Sequence, residues 1–153
     1  VPLLNSAMRE HDINTPKRCA AFVAQIAHES GEFRYMEELS DGKAYENRKD
    51  LGNTEPGDGP RYKGRGPIQL TGRFNYRAAG AALGLNLEAH PEQAAKPEVG
   101  FRTAAWFWKS HGLNDLADAG NFEQITRVIN GGLNHYDLRL KYYARACETL
   151  GLL

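Results

Sequence analysis

Cysteine is scarce in this chain: Cys19 and Cys147 are the only two among 153 residues. Two residues make no disulfide framework, and with no C-x-x-C step there is no zinc ribbon. Both sit among apolar positions at helical spacing and are expected as buried free thiols. Net charge is missing as well. Lys plus Arg and Asp plus Glu number 19 each, which argues against a nucleic-acid partner, since such proteins carry a basic excess. No apolar run approaches the roughly 18 residues of a spanning helix, and no secretory leader pattern is visible. Internal repeats, heptads and strand-like alternation are absent, which excludes a doubly wound α/β sheet. Gly64-Arg65-Gly66 is no dinucleotide loop, because no G-x-G-x-x-G follows a strand.

What is present is ordinary globular composition, with 41% hydrophobic and 25% charged residues. The length fits one domain, residues 1–153, able to bury a core without staples. The chain starts at Val1, and a trimmed N-terminus is expected.

Most segments read as helix. In "NTPKRCAAFVAQIAHES", Asn14 or Thr15 is the N-cap and Pro16 opens the first turn. Cys19, Phe22, Val23 and Ile26 make an apolar stripe. "RFNYRAAGAALGL" is a helix with Thr71 as its expected cap, and "HPEQAAKP" is a short turn or helix. "PEVGFRTAAWFWKSHG" puts Phe101, Ala104, Ala105 and Trp108 on one face, and both Trp106 and Trp108 are expected in the core. "NFEQITRVINGG" is helical to about Ile129. The last helix places Leu140, Tyr143, Ala144, Cys147 and Leu150 on its apolar face, with Arg139 off it. Between these segments, Ser40 to Gly66 holds six of the sixteen glycines and few apolar residues. It reads as a long ordered loop, with room for a short hairpin; such loops are often functional.

The stretch "IAHESGEFRYMEEL" then stands out, with His28, Glu29, Glu32, Glu37 and Glu38 clustered after an apolar helix. A zincin would need H-E-x-x-H, and the second histidine is missing. His11, His90, His111 and His135 show no ligand spacing, so no metal or other cofactor is implied. Glu32 and Glu37 read as solvated charge. Glu29 differs, because Phe22, Ile26 and Glu29 fall at i, i+4 and i+7, so it continues the buried stripe. Burial and a helix C-terminus both disfavour its charge, which suits a general acid. Glu38, nine residues on, would lie about 13.5 Å along a straight helix and on another face. Gly31 permits the chain to turn back, so a facing pair is allowed but not required. Glu46, in the long loop, is a rival base.

"YKGRGPIQLTGRFNY", residues 62–76, resembles the signature of family 19 glycoside hydrolases, the chitinases and their phage endolysin relatives. "AHESGEF", "AAWFWKS", "ITRVINGG" and "LRLKYYARACETLG" resemble further parts of that family in its order, from about Phe22 to Leu150. The resemblance implies a mainly α, lysozyme-like fold of two helical lobes around a central cleft, with a small irregular or β-hairpin region. It implies Glu29 as general acid, Glu38 as general base and Thr71 as a hydroxyl that holds the attacking water. Tyr62, Gln69 and Asn75 match sugar-contacting positions. Asn130 and Arg139 match polar residues behind the base, with Arg139 keeping Glu38 ionised. His28 is expected to support the cleft by bonding its backbone. The compact chain and the loop "AYENRKDLGNTEPGDG" resemble the bacterial and phage branch.

These readings imply an inverting glycosidase that cleaves β-1,4 bonds of peptidoglycan. The alternatives are a chitinase and a non-catalytic carbohydrate-binding homologue. Arg61, Lys63, Arg65, Arg73 and Arg77 are surface charge by default, although a basic cleft rim would suit an anionic wall polymer. A monomer is expected, made as a phage or prophage product in the bacterial cytoplasm and acting on the cell wall, or secreted if it is a chitinase.

Overall fold

The computed structural model describes all 153 residues and is built from helices. In order they are α1 (Pro2–Glu10), α2 (Pro16–Glu29), α3 (Asp58–Arg61), α4 (Arg73–Leu83), α5 (Pro97–Ser110), α6 (Leu113–Asp118), α7 (Phe122–Asn130) and α8 (Tyr136–Thr149). Three 3-10 turns, Lys43–Tyr45, Lys49–Leu51 and Pro91–Ala95, complete it. Extended pairing is limited to single bridges, Glu37 with Arg65 and Arg65 with Leu70. The long loop is therefore irregular, with 3-10 turns in place of a hairpin. No helix is long and apolar enough to cross a membrane.

Local chemistry explains the helix that carries the candidate acid. The Thr15 hydroxyl accepts the Arg18 N–H at 3.3 Å, and Pro16, with no N–H to satisfy, opens the first turn. Ala20, Ala21, Phe22, Ala24, Gln25, Ile26 and Ala27 are buried. Phe22 meets Trp108 edge-on at 5.3 Å, and fully burying such a ring contributes about 2–3 kcal/mol. The Trp108 indole donates to Asn114 at 2.9 Å, so this core aromatic leaves no polar atom stranded.

Two cores make two lobes. The larger joins α1, α2, α5, α6 and α7 through Met8, Ile13, Phe22, Ile26, Trp108, Leu113 and Ile125. The smaller gathers Tyr62, Leu70, Tyr76, Ala79, Leu87, Ala94 and Val99. Helix α5 belongs to both, with Val99 in the second core and Ala104, Ala105 and Trp108 in the first.

Three expectations are corrected by the packing. Thr71 does not cap α4: Gly72 is the N-cap, and the exposed Arg73 N–H is bonded instead by Asn53 Oδ1 at 2.9 Å. The buried face of α8 is only partly the one expected. Tyr143 and Cys147 turn inward as expected, but Tyr136 and Arg139 join them, while Leu140 and Leu150 are substantially exposed. Arg139 sits on the buried face because its charge is matched there. Both cysteines are free, Cys147 buried and Cys19 only partly so.

Candidate active site

Glu29 is the last residue of α2. Its Oε1 lies 2.5 Å from Arg139 Nη1, and Arg139 is 1% exposed. This contact is one of charge rather than an aligned hydrogen bond. Arg139 Nη1 aligns on Gln25 Oε1 at 2.8 Å, and its Nε donates to the Asn134 carbonyl at 3.0 Å. Gln25 in turn donates to the Thr126 hydroxyl at 2.7 Å, which donates to the Phe122 carbonyl at 3.0 Å. Four side chains on α2, α7 and α8 thus form one chain of partners ending at the carboxylate. Arg139 stands beside Glu29, the candidate acid, and not beside Glu38. The expectation that it polarises the base is corrected.

His28 packs against His135, with ring centroids 5.5 Å apart, and its Nδ1 is 3.8 Å from Glu29 Oε1. Burial first, and the Arg139 charge second, hold His28 below the usual 6.5, so the ring is neutral at pH 7. Nδ1 makes no hydrogen bond, so the expected backbone bond is absent and His28 serves as packing against the acid. The chain leaves α2 through three consecutive left-handed residues, Gly31, Glu32 and Phe33. Glu32 and Phe33 pay steric strain for this conformation. It is held by the Ser30 hydroxyl, which accepts the Phe33 N–H at 2.8 Å, and by Tyr142, which donates to Glu32 at 3.0 Å.

Glu38 is held differently. Its N–H donates to the Gly64 carbonyl at 2.9 Å, and Gly66 N–H donates to the Met36 carbonyl at 2.7 Å. Glu38 Oε2 accepts from the Gly64 N–H at 2.7 Å and the Tyr45 hydroxyl at 3.1 Å. A Cβ on Gly64 would meet Glu38 Oε2 and Gln69 Oε1, each at 2.6 Å, so only glycine lets both side chains close in. The neighbouring Glu37 is not simply solvated. Lys63 binds it at 2.9 Å, with Arg65 at 3.6 Å, and its carboxyl is held below the usual range chiefly by Lys63. Glu46 is no rival base: its two oxygens accept the Gly57 and Gly59 N–H groups at 2.7 and 2.8 Å, so it is a loop staple.

The first turns of α5 anchor both segments. Phe33 packs edge-on to Phe101 at 5.8 Å. Gly100 admits Met36 and Gly66 so closely that a Cβ there would meet Met36 Cε at 2.7 Å. The acid's exit turn, the base segment and "GRGPIQL" therefore share one support.

A groove of about 270 Å³ is lined by Leu51, Ile68, Gln69, Thr71, Asn75 and Trp106 among others, and by neither Glu29 nor Glu38. Gln69 adopts φ of 57° and donates to the Gly66 carbonyl at 3.0 Å, which leaves its Oε1 toward Gly64. Thr71 donates to the Gln69 carbonyl at 2.8 Å, and Asn75 donates to the Thr71 carbonyl at 2.8 Å. Trp106, expected in the core, is half-buried and faces this groove. Tyr62 is corrected outright as a sugar contact: it is 1% exposed and its hydroxyl donates to the Glu88 carbonyl at 2.8 Å. Asn130 ends α7 and accepts the Asn134 N–H at 3.1 Å, on the acid's side. A larger, mostly apolar cavity of about 500 Å³ between α1, α2 and α8 contains neither Glu29 nor Glu38. Sequence reasoning missed Tyr45, Gly64 and Gln25. Gln25, four residues before Glu29 on a buried face, was the one legible signal, because a polar residue amid alanines demands partners.

The basic set, read as surface charge by default, is tied into the fold. Arg61 donates to the Glu88 and Ala89 carbonyls, Arg65 to the Arg61 carbonyl and Tyr76 hydroxyl, and Lys63 to Glu37. Arg73 pairs with Asp58 and Glu88, and Arg77 with Glu88. The whole set is engaged within the molecule.

The two-lobed helical fold, with the segments of Glu29 and Glu38 both packed on α5, is shared with known proteins. The family described as "Chitinase class I", glycoside hydrolase family 19, matches residues 5–119. An endochitinase of Arabidopsis thaliana is 41% identical over 143 residues, covering 89% of this chain and 49% of the relative. A glycosyl hydrolase family 19 domain-containing protein of Haemophilus influenzae is 36% identical, covering 85% of this chain and 78% of that one. Chitinase C from Streptomyces griseus superposes with a TM-score of 0.83 at 29% identity, over 98% of this chain and 69% of that one. The chain belongs to glycoside hydrolase family 19. It spans about half the length of the plant relative.

Proposed function

We propose that this protein is a glycosidase that hydrolyses β-1,4 bonds of chitin-type N-acetylglucosamine polymers with inversion. Glu29 protonates the leaving oxygen, and Glu38 removes a proton from the attacking water. Glu38 Oε2 already accepts two hydrogen bonds, so Oε1 is the oxygen free to take that proton. The Thr71 hydrogen is engaged by the Gln69 carbonyl, which leaves its oxygen to accept the water's second hydrogen. The water's lone pair then faces the anomeric carbon. No step needs a metal or cofactor.

The sequence expectation favoured peptidoglycan, and the observation that moves the reading to chitin is the engaged basic set. Lys63, Arg65, Arg73 and Arg77 are paired with Glu37, Asp58 and Glu88, which weakens the field that this set would present to an anionic wall polymer, while a neutral polymer needs none. The relatives named as chitinases support the same substrate. Peptidoglycan remains the second reading because of the loop at residues 44–59, whose sequence resembles the endolysin branch. Release of oligosaccharides from chitohexaose, measured beside clearing of permeabilised bacteria, separates the two. Clearing without chitohexaose cleavage would overturn the chitin reading, and a first product with the retained β-anomer would overturn inversion.

A further inference from the structure

We propose that Tyr45 is a positioning residue for the general base, and that delivering its hydroxyl to Glu38 is the task of the long glycine-rich loop. The inference rests on the reading of Glu38 as base. The Tyr45 hydroxyl donates to Glu38 Oε2 at 3.1 Å, beside the Gly64 N–H at 2.7 Å. Two donors on one oxygen fix the rotation of the carboxylate. They also leave Oε1 as the proton acceptor.

The loop that carries Tyr45 has little apolar burial, and its 3-10 turns contain no buried residue. It is nevertheless pinned on both sides of Tyr45. The Tyr45 carbonyl accepts from Asn53 Nδ2 at 2.9 Å, and Asn53, fully buried, bonds the first N–H of α4 through its other amide atom. The next residue, Glu46, clamps the Gly57 and Gly59 N–H groups. Asn53 thereby links Tyr45 to the start of α4, two residues beyond Thr71. Polar bonds do here what a hydrophobic core does elsewhere, and they converge on one hydroxyl. Burial, then the Glu38 charge, push the Tyr45 hydroxyl above its usual 10, so it stays a donor over the working pH range.

Tyr45→Phe removes the donor and keeps the ring. The test is kcat and KM on the polymer that the wild-type protein cleaves, chitohexaose or permeabilised cell wall, together with the melting temperature. kcat is expected to fall about tenfold, as the loss of one hydrogen bond to a charged group would give, with KM and melting temperature nearly unchanged. An unchanged kcat, a change confined to KM, or a loss of activity that only follows a lower melting temperature would overturn the inference. Glu38→Gln on the same substrate separates the two levels. If it keeps turnover, the base reading fails and this inference with it. If it is inactive while Tyr45→Phe leaves kcat unchanged, the positioning role alone fails.

Discussion

The two candidate carboxylates are held by opposite means. Glu29 ends a chain of buried side chains that ties α2 to α7 and α8 through Arg139, Gln25 and Thr126. Glu38 is held by backbone groups of "GRG" and by a loop hydroxyl, on a segment with no regular structure. Damage to the first set strikes the folded core, whereas damage to the second strikes the geometry of one side chain. Stability and activity should therefore separate differently on the two sides.

The sharpest contrast comes from the carboxylates themselves. Glu29→Gln and Glu38→Gln are each expected to lower kcat by about 10²- to 10⁴-fold, the range for a lost acid or base. They should differ in unfolding. Glu29→Gln leaves the buried Arg139 without its counter-charge and lowers the urea midpoint, while Glu38→Gln leaves the midpoint nearly in place. Equal midpoints would break the comparison.

Next in size is Gly64→Ala. The new Cβ would meet Glu38 Oε2 and Gln69 Oε1 at 2.6 Å, so both side chains must move. A displacement of this kind costs about 10²-fold in activity when it falls on a reacting group. The expected change in urea midpoint is small, because the atoms that yield are side-chain ends. Arg139→Met is the counterpart on the acid's side. Breaking a buried pair by removing one partner costs about 3–5 kcal/mol; Glu29 keeps a 23% exposed side chain, so about 2–3 kcal/mol is expected here. If Arg139→Met unfolds no more easily than Gly64→Ala, the division between core-held and loop-held carboxylates is wrong.

The same division decides what was legible in the sequence. The helix of Glu29 was readable, because Thr15, Pro16 and the stripe ending at Ile26 all obey local rules. Its partner was not. Arg139 reads as a solvated residue by periodicity, and only long-range pairing with Glu29 and Gln25 turns it inward. The α8 stripe was displaced for that reason. Tyr62 was misread because burial of an aromatic in a glycine-rich segment depends on a second core, which Tyr76, Leu87 and Val99 supply from distant positions. The family signature located Glu38, but no pattern could reveal that Tyr45 and Gly64 share its Oε2. Such contacts join segments 7 and 26 residues apart through an irregular loop, where neither a period of 3.6 nor one of 2 applies.

The smallest effect concerns the lobe of the base, where charge takes the place of packing. Arg77 first, with Arg73, holds the Glu88 carboxyl down at about 2, against an ordinary value of 4.5. Asp58, 2% exposed and bonded by Arg73 and by the Thr54 and Glu55 N–H groups, is also held low despite its burial. A carboxyl with a depressed folded-state value stabilises the fold fully above its unfolded value, and that contribution is lost as pH falls through the folded one. For Glu88 the window runs from about 4.5 down to about 2. Glu88→Gln is expected to lower stability by about 1 kcal/mol at neutral pH, allowing for solvent screening of a partly exposed pair. Urea midpoints of the variant and the wild-type protein should then converge as pH falls across that window. The acid's lobe is knit by apolar contacts and should change less. Amide exchange at pH 3 should accordingly open α4 and the Asp58 turn before α2. If α2 opens first, the contrast between a packed lobe and a charge-knit lobe does not hold.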